Sequence, residues 1–233
     1  MRQFFLSFLS LSLLLVSCEK KGCIDPDASN YSGYANKDDG SCLYYVFDVN
    51  LNTYKYKAIC NGVWTTQNLR VTKYKNGDQI PQVQDAAQWS TLTTGAWCYY
   101  DNDPTKGVLY NWYAVTDPRG LAPEGWHIPS DYEYTGIVTC FGTSYLAQKF
   151  NAQSGWITNN GSNESGFTAL PCGRRNDLGE FFEYGENAWW WTQSTTAGGL
   201  GRVFFIKDNS INPTIGNSGS KKFGFSVRVI RDY

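Results

Sequence analysis

Hydrophobic and polar positions divide this chain into three textures. Residues 4–17 form an apolar run interrupted only by serines; it follows Met1-Arg2-Gln3 and stops at Cys18, ahead of Glu19-Lys20-Lys21. From Gly22 to Cys42 apolar periodicity vanishes and turn formers dominate, as in Asp25-Pro26-Asp27 and Asp38-Asp39-Gly40-Ser41. From Tyr44 onward the chain is built of short β-prone runs with partial alternation, over residues 45–50, 54–59 and 63–71, with a turn signal at Asn76-Gly77-Asp78. Asp85 is placed to cap a short helix beginning at Ala86. Residues 108–115 are apolar nearly throughout and are expected to be buried, but their length suits a strand or a helix equally. The clearest helix start is Pro129-Ser130-Asp131-Tyr132-Glu133, where Ser130 and Glu133 make a capping box. That helix is predicted to reach Cys140 or Phe141 and to end at Gly142, with a shorter one over residues 144–150. Strands are predicted over residues 189–194, 202–206 and 223–230, separated by turns rich in Gly, Asn and Ser. Strands, one or two helices, then more strands, with no βαβ repeat, make an α+β plan.

Nine Trp, sixteen Tyr and thirteen Phe beside one Met and one His suit a loop-rich extracellular β protein better than a cytosolic helical enzyme. A net charge of −1 gives no pull toward polyanions, and Lys221-Lys222 is the only late basic pair, so no nucleic-acid partner is indicated. The short charged start, the apolar run and a small residue before the break read as a secretory signal over residues 1–17. The run is shorter than the roughly 20 residues of a membrane span. With Cys18 set aside, Cys23, Cys42, Cys60, Cys98, Cys140 and Cys172 remain, an even set that reads as disulfides in an exported chain. No Cys-x-x-Cys pair exists and the lone His127 cannot complete a Cys2His2 set, which argues against zinc. The turn-rich segment 23–44 is too short for its own core, and a Cys23–Cys42 bridge would supply about 3 kcal/mol of constraint.

Leu15-Val16-Ser17-Cys18 resembles the lipobox of bacterial lipoproteins. That resemblance implies cleavage before Cys18, lipid on its sulfur and new amino group, and attachment to a membrane, the outer membrane being the expected one. Residues 18–22 would be a tether. The pattern Gly22-Cys23-x-Asp25-Pro26 through Asp38-Asp39-Gly40-Ser41-Cys42 resembles a short Cys-bounded module of exported bacterial proteins. Asp25, Asp27, Asp38 and Asp39 offer calcium hard oxygen donors. Their spacing is not that of an EF-hand loop, which favours turn capping by side-chain hydrogen bonds.

Seven landmarks in the remaining segment, residues 45–233, fall in one order: Trp64-Thr65-Thr66-Gln67-Asn68-Leu69, Trp97-Cys98-Tyr99-Tyr100-Asp101-Asn102-Asp103, Gly107 to Val115, Leu121 to Asp131, Ser165 to Arg175, Trp190-Trp191-Thr192-Gln193-Ser194 and Gly224-Phe225-Ser226-Val227-Arg228. Together they resemble the Fibrobacter succinogenes major paralogous domain, a family of exported and lipid-anchored bacterial proteins. A looser similarity, through Gly125-Trp126-x-x-Pro129-Ser130-x-x-Glu133 and the closing Phe-Ser-Val-Arg, is to the C-type lectin-like architecture, which formylglycine-generating enzymes share. Members of the family often carry Trp where this chain has Tyr134 and Cys where it has Val229. If that late Cys is the usual partner of Cys98, Cys98 needs another here. Cys60–Cys98 with Cys140–Cys172 is the expected pairing, and the two other pairings stay open.

Candidate chemistry is sparse. His127 lies between Trp126 and Ile128 with no nucleophile elbow nearby, so a structural imidazole is expected rather than a triad. Cysteine-dependent oxidation would need a second thiol near the end of the domain, and no Cys follows Cys172. Glu133, Glu164, Glu180, Glu183 and Glu186 are candidates by type for a glycosidase carboxylate pair. Glu133 is better explained by the capping box, and Glu180 and Glu183 by a hairpin. In a strand Trp189 and Trp191 share one face and Trp190 takes the other, one of those faces being core. Trp189, Trp190, Trp191 and Arg202 are the candidates for contact with a glycan or protein ligand. The reading is a lipid-anchored, non-catalytic surface binding domain without a cofactor, calcium apart. The alternatives are a polysaccharide hydrolase and a variable-display surface protein.

Overall fold

The computed structural model describes residues 19–142 and 144–232; the signal run and Cys18 lie outside them. The chain divides into two compact units between Tyr44 and Tyr45. The small unit carries strands β1 (Lys21–Gly22) and β2 (Lys37–Asp38), paired in parallel, and the Cys23–Cys42 disulfide. Its side chains make its turns. Asp25 accepts from the Asp27 amide at 2.9 Å and from the Tyr44 hydroxyl at 2.6 Å, Asp38 from the Gly40 amide at 3.0 Å, and Asp39 from the Ser41 amide at 3.0 Å. Asn30 closes the far side, accepting from the Leu43 amide and donating to the Ser41 carbonyl. Asp25, Asp38 and Asp39 are thus turn-capping groups.

The large unit is mostly β with few helices. One five-stranded sheet has the order β3-β4-β5-β14-β8, from β3 (Tyr45–Phe47), β4 (Thr53–Ile59), β5 (Gly62–Thr65), β8 (Trp126–His127) and β14 (Ile230–Arg231). The second has the order β10-β9-β11-β12-β13, from β9 (Cys172–Arg175), β10 (Phe181–Tyr184), β11 (Asn187–Thr195), β12 (Gly201–Lys207) and β13 (Thr214–Asn217). A hairpin of β6 (Trp97–Tyr99) and β7 (Val108–Tyr110) stands beside them. The helices are α1 (Ala86–Ser90), α2 (Trp112–Val115), α3 (Asp131–Cys140) and α4 (Leu146–Phe150). Asp85 caps α1, and Ser130 with Glu133 forms the capping box of α3. Residues 108–115 turn out to be both strand and helix. The switch is Asn111, fully buried, whose carboxamide oxygen accepts from the amides of Ala114 and Ala96.

Two hydrophobic clusters flank β11, so both of its faces are core. Trp190 packs with Phe204 and Phe167 in one cluster; Trp191 packs with Trp112 and Phe225 in the other. The alternation read from sequence holds, but the expectation of a single core face does not.

Residues 223–230 do not form the continuous strand the sequence predicts. Only β14 joins a ladder; before it come single bridges, Gly224 to Arg175, Phe225 to Tyr110 and Ser226 to Trp190. The reason is that the segment divides its backbone bonds. Phe225 and Ser226 bond Tyr110 and β11, whereas the Val227 and Val229 carbonyls accept from Leu69 and Thr65. It is a seam between the two sheets. Residues 66–71 likewise leave the strand after Thr65, because their partners are that seam and side chains.

The expected pairings Cys60–Cys98 and Cys140–Cys172 are corrected. Cys60, in the β4–β5 turn, bridges Cys140 at the end of α3. That bridge closes a separation of 80 residues, worth about 4.5 kcal/mol on the loop-entropy argument. Cys98 and Cys172 are buried thiols. Cys98 sits under Val83, Trp89 and Leu109, and burial pushes its thiol up to about 12; burial raises Cys172 as well.

Two outcomes follow. Iodoacetamide at pH 8 should label neither Cys98 nor Cys172 in the folded protein and both after denaturation without reductant; rapid native labelling would refute the burial. Because Cys98 has a raised folded value, its contribution to stability is complete below the ordinary value of 9.0 and is lost as pH climbs toward about 12. Denaturation midpoints should therefore fall across that window, and Cys98→Ala should flatten the slope.

Candidate functional site

A groove of about 670 Å³ opens on the large unit. It is lined by the β3–β4 turn with Asn50 and Asn52, the loop 67–72, Tyr99 of β6, residues 104–108, Gly155, and residues 170–172 with Tyr184 across from them. The lining contains four carboxamides, two cations and two phenols, and no Asp or Glu.

The first two segments are organised by one carboxylate. Asp48, 4% exposed, accepts from the amides of Asn50 and Asn52 at 2.8 and 3.0 Å, from Asn52 Nδ2 at 2.9 Å and from the Tyr54 hydroxyl at 2.5 Å. These bonds hold Leu51 in the left-handed region at φ 64°, uncommon for a bulky side chain. Burial raises the Tyr54 phenol far above its ordinary value, so it remains a donor to Asp48 while accepting from the Arg70 amide at 3.0 Å. The carboxamides are pinned by their oxygens: Asn50 Oδ1 accepts from the Thr72 amide at 2.9 Å and Gln67 Oε1 from the Lys55 amide at 3.0 Å. Arg70 lies over the Tyr54 ring at 5.1 Å and donates Nη2 to the Thr53 carbonyl at 3.1 Å. On the other wall, Lys106 Nζ lies 5.3 Å from the Tyr184 ring centroid and 3.3 Å from an Asp101 oxygen. Asp101 and Asn102 there are both left-handed, at φ 51° and 59°. Strained backbone of this kind gathers at binding rims.

The floor rests on Arg228, which is fully buried. Its Nε donates to Asn68 Oδ1 at 2.6 Å, Nη1 to the carbonyls of Thr65 and Phe167 at 2.8 and 2.7 Å, and Nη2 to the Thr168 carbonyl at 2.9 Å. Burial pulls its guanidinium down to about 10. Asn68 Oδ1 also accepts from Trp190 Nε1 at 2.9 Å, and its Nδ2 donates to Cys172 Sγ at 3.6 Å. Thr168 is a β-branched residue held at φ 57°, two residues before the groove wall begins at Leu170.

The residues singled out from the sequence lie elsewhere. Trp190 and Trp191 are 0% exposed, and their indole N–H groups bond Asn68 and the Tyr110 carbonyl, so both are core and are withdrawn as ligand contacts. Trp189 is half-buried, stacked on Phe205 at 4.4 Å and bonded to Glu183 at 2.7 Å. Arg202 forms an ion pair with Asp131 at the start of α3. None of these four lines the groove. Among the described residues no group of three or more His, Cys, Asp or Glu side chains is placed to hold a metal ion, Asp25, Asp27, Asp38 and Asp39 included. His127 sits between Asp232 at 2.6 Å and Glu133 at 2.8 Å, tying the chain end to α3. Glu183 makes a two-pronged pair with Arg174, Glu180 bonds Asn176, and Glu164 lies 3.8 Å from Lys149. The groove residues Asn50, Asn52, Gln67, Arg70 and Lys106 were missed. The one available signal was Thr65-Thr66-Gln67-Asn68, a polar run that interrupts the β alternation.

The family described as Fibrobacter succinogenes major domain matches residues 58–231. The match takes in Asn68, Arg228 and both buried tryptophans, and leaves Asn50 and Asn52 outside it. No curated protein and no solved structure matches the chain.

Arg228→Lys keeps the charge but cannot reach four oxygens from one planar fork. It should destabilise the large unit by about 3–5 kcal/mol. Urea denaturation would measure this, and a change within about 1 kcal/mol would remove Arg228 from the role assigned to it.

Proposed function

Since the chain belongs to the Fibrobacter succinogenes major domain family, we propose that it is a non-catalytic binding domain whose ligand lies in the groove beside Arg70 and Lys106. It works outside the cytoplasm, anchored through lipid on Cys18. The anchor is supported by the apolar run that ends at that cysteine. Among the described residues, no helix is long and apolar enough to cross a membrane. A C-type lectin-like plan for the large unit is supported by the capping-box helix after Gly125-Trp126 and by the closing strand, where Ile230 pairs with Trp64 of β5.

The observation that carries the binding reading is the composition of the groove. Polar donors and two phenols surround a space within the ~300–1,000 Å³ of small-ligand sites. A hydrolase would need two carboxyl groups roughly 5–10 Å apart across the scissile bond, and no Asp or Glu lines this groove. The ligand is taken to be a glycan rather than a protein because the half-exposed rings of Tyr99 and Tyr184 give apolar faces beside hydrogen-bonding groups.

A panel of soluble polysaccharides titrated against the purified protein tests this. Gln67→Ala and Tyr184→Ala should each weaken binding roughly tenfold while leaving the melting temperature within a few degrees. No reducing ends should appear on prolonged incubation. Variants that bind like the parent, or steady release of reducing ends, would each defeat the reading.

A further inference from the structure

We propose that the groove selects acidic glycans, an anionic group on the sugar chain being held by Arg70. This rests on the groove being the binding site and adds the ligand's charge. The argument is one of donors against acceptors. The carboxamide oxygens of Asn50 and Gln67 each already accept one backbone amide, from Thr72 and Lys55. Among the described residues their NH2 groups make no hydrogen bond and are donors only, whereas Asn52 spends its NH2 on Asp48 and the Arg70 carbonyl. Lys106 and Arg70 add further donors and no acceptor.

A neutral sugar presents hydroxyls that each donate as well as accept. Moved from water into side chains that mostly donate, many of those hydroxyl protons lose their partners, at a cost of about 1–3 kcal/mol for each buried one left unmade. A carboxylate or sulfate ester has only acceptor oxygens, so the same side chains satisfy it.

Charge points the same way. Among the described residues Arg70 makes no ion pair; its guanidinium spends one N–H group on the Thr53 carbonyl and rests on the Tyr54 ring. The remaining edge suits a two-pronged bond to an oxyanion. Neither Asp48 nor Asp101 forms an ion pair with Arg70 among the described residues. Asp48 is buried and already accepts four hydrogen bonds from Asn50, Asn52 and Tyr54. Asp101 is exposed and is paired with Lys106 at 3.3 Å.

The test is calorimetric titration of the purified protein with four oligosaccharides of matched length: a polyuronate, its methyl ester, a sulfated chain and a neutral glucan. The polyuronate or the sulfated chain should bind at least about tenfold more tightly than either neutral oligomer, with affinity falling as salt rises. Which of the two acids binds identifies the anionic group. Arg70→Gln should abolish that preference, and Arg70→Lys should restore part of it, since a point charge replaces the fork. Equal binding of the methyl ester, or unchanged acid binding by Arg70→Gln, would overturn the proposal. If a neutral oligomer binds and Gln67→Ala weakens it, the groove stands as the binding site and acid selection alone fails. If none of the four binds, both readings fail.

Discussion

The large unit depends on a buried cation with no carboxylate beside it. Every hydrogen bond of the Arg228 guanidinium goes to a neutral oxygen: three backbone carbonyls and the carboxamide of Asn68. Removing a charge from water costs several kcal/mol after relaxation, so the site exists only if those dipoles and the Phe167 ring, 4.5 Å away, offset the loss. The arrangement is demanding in a useful way. Thr65 ends β5, Phe167 and Thr168 belong to the loop before β9, and Asn68 lies beneath the groove. One planar group therefore sets the distances between both sheets and the groove floor. A second guanidinium repeats the device, since Arg175 donates to the carbonyls of Val83, Gln84 and Gly179 and lies against Trp89. Two large polar side chains with outward-facing forks can join loops that have no ladder to join them.

How much of this was readable in advance depended on the range of the interaction. The α3 start was legible because Ser130 and Glu133 satisfy each other's backbone within one turn, whereas the hairpin read around Glu180 and Glu183 supplies only β10, whose partner is β9. Residues 224–229 misled because alternation reports which faces are buried, not which backbone is the partner. Those residues do alternate, but they divide their bonds between Tyr110, β11, Leu69 and Thr65. The disulfide pairing failed for a related reason: Cys60 and Cys140 come together only after α3 has packed against the β4–β5 turn.

The candidate site was the least legible part. Three consecutive tryptophans drew the ligand to β11, yet a strand clamped between two clusters has no free face, and the indoles of Trp190 and Trp191 serve as internal donors. The groove, in contrast, is made of carboxamides from separate segments, and Asn or Gln in a loop reads as an ordinary turn former or solvated side chain. The meaning of Asn50 and Gln67 appears only when the oxygen of each is seen bound to a backbone amide from another segment. Asn50 and Thr72 are 22 residues apart, and Gln67 and Lys55 are 12 apart.

On the proposed reading, those pins preset part of the groove's surface. The oxygen bonds fix Asn50 and Gln67, and the Nδ2 bonds fix Asn52, so on the proposed reading little rotamer entropy would be lost on binding. The groove floor is coupled to the core through Asn68 and Arg228, and its residues cannot change without moving the sheets. The rim is coupled only to the loop 67–72, through Asn50 with the Thr72 amide and Asn52 with the Arg70 carbonyl. The β3–β4 turn owes its shape to Asp48, a local carboxylate, and lies outside the span that matches the family. On the proposed reading, Asn50 and Asn52 are therefore positions where ligand preference would be altered while the buried guanidinium and the fold it holds stay as they are.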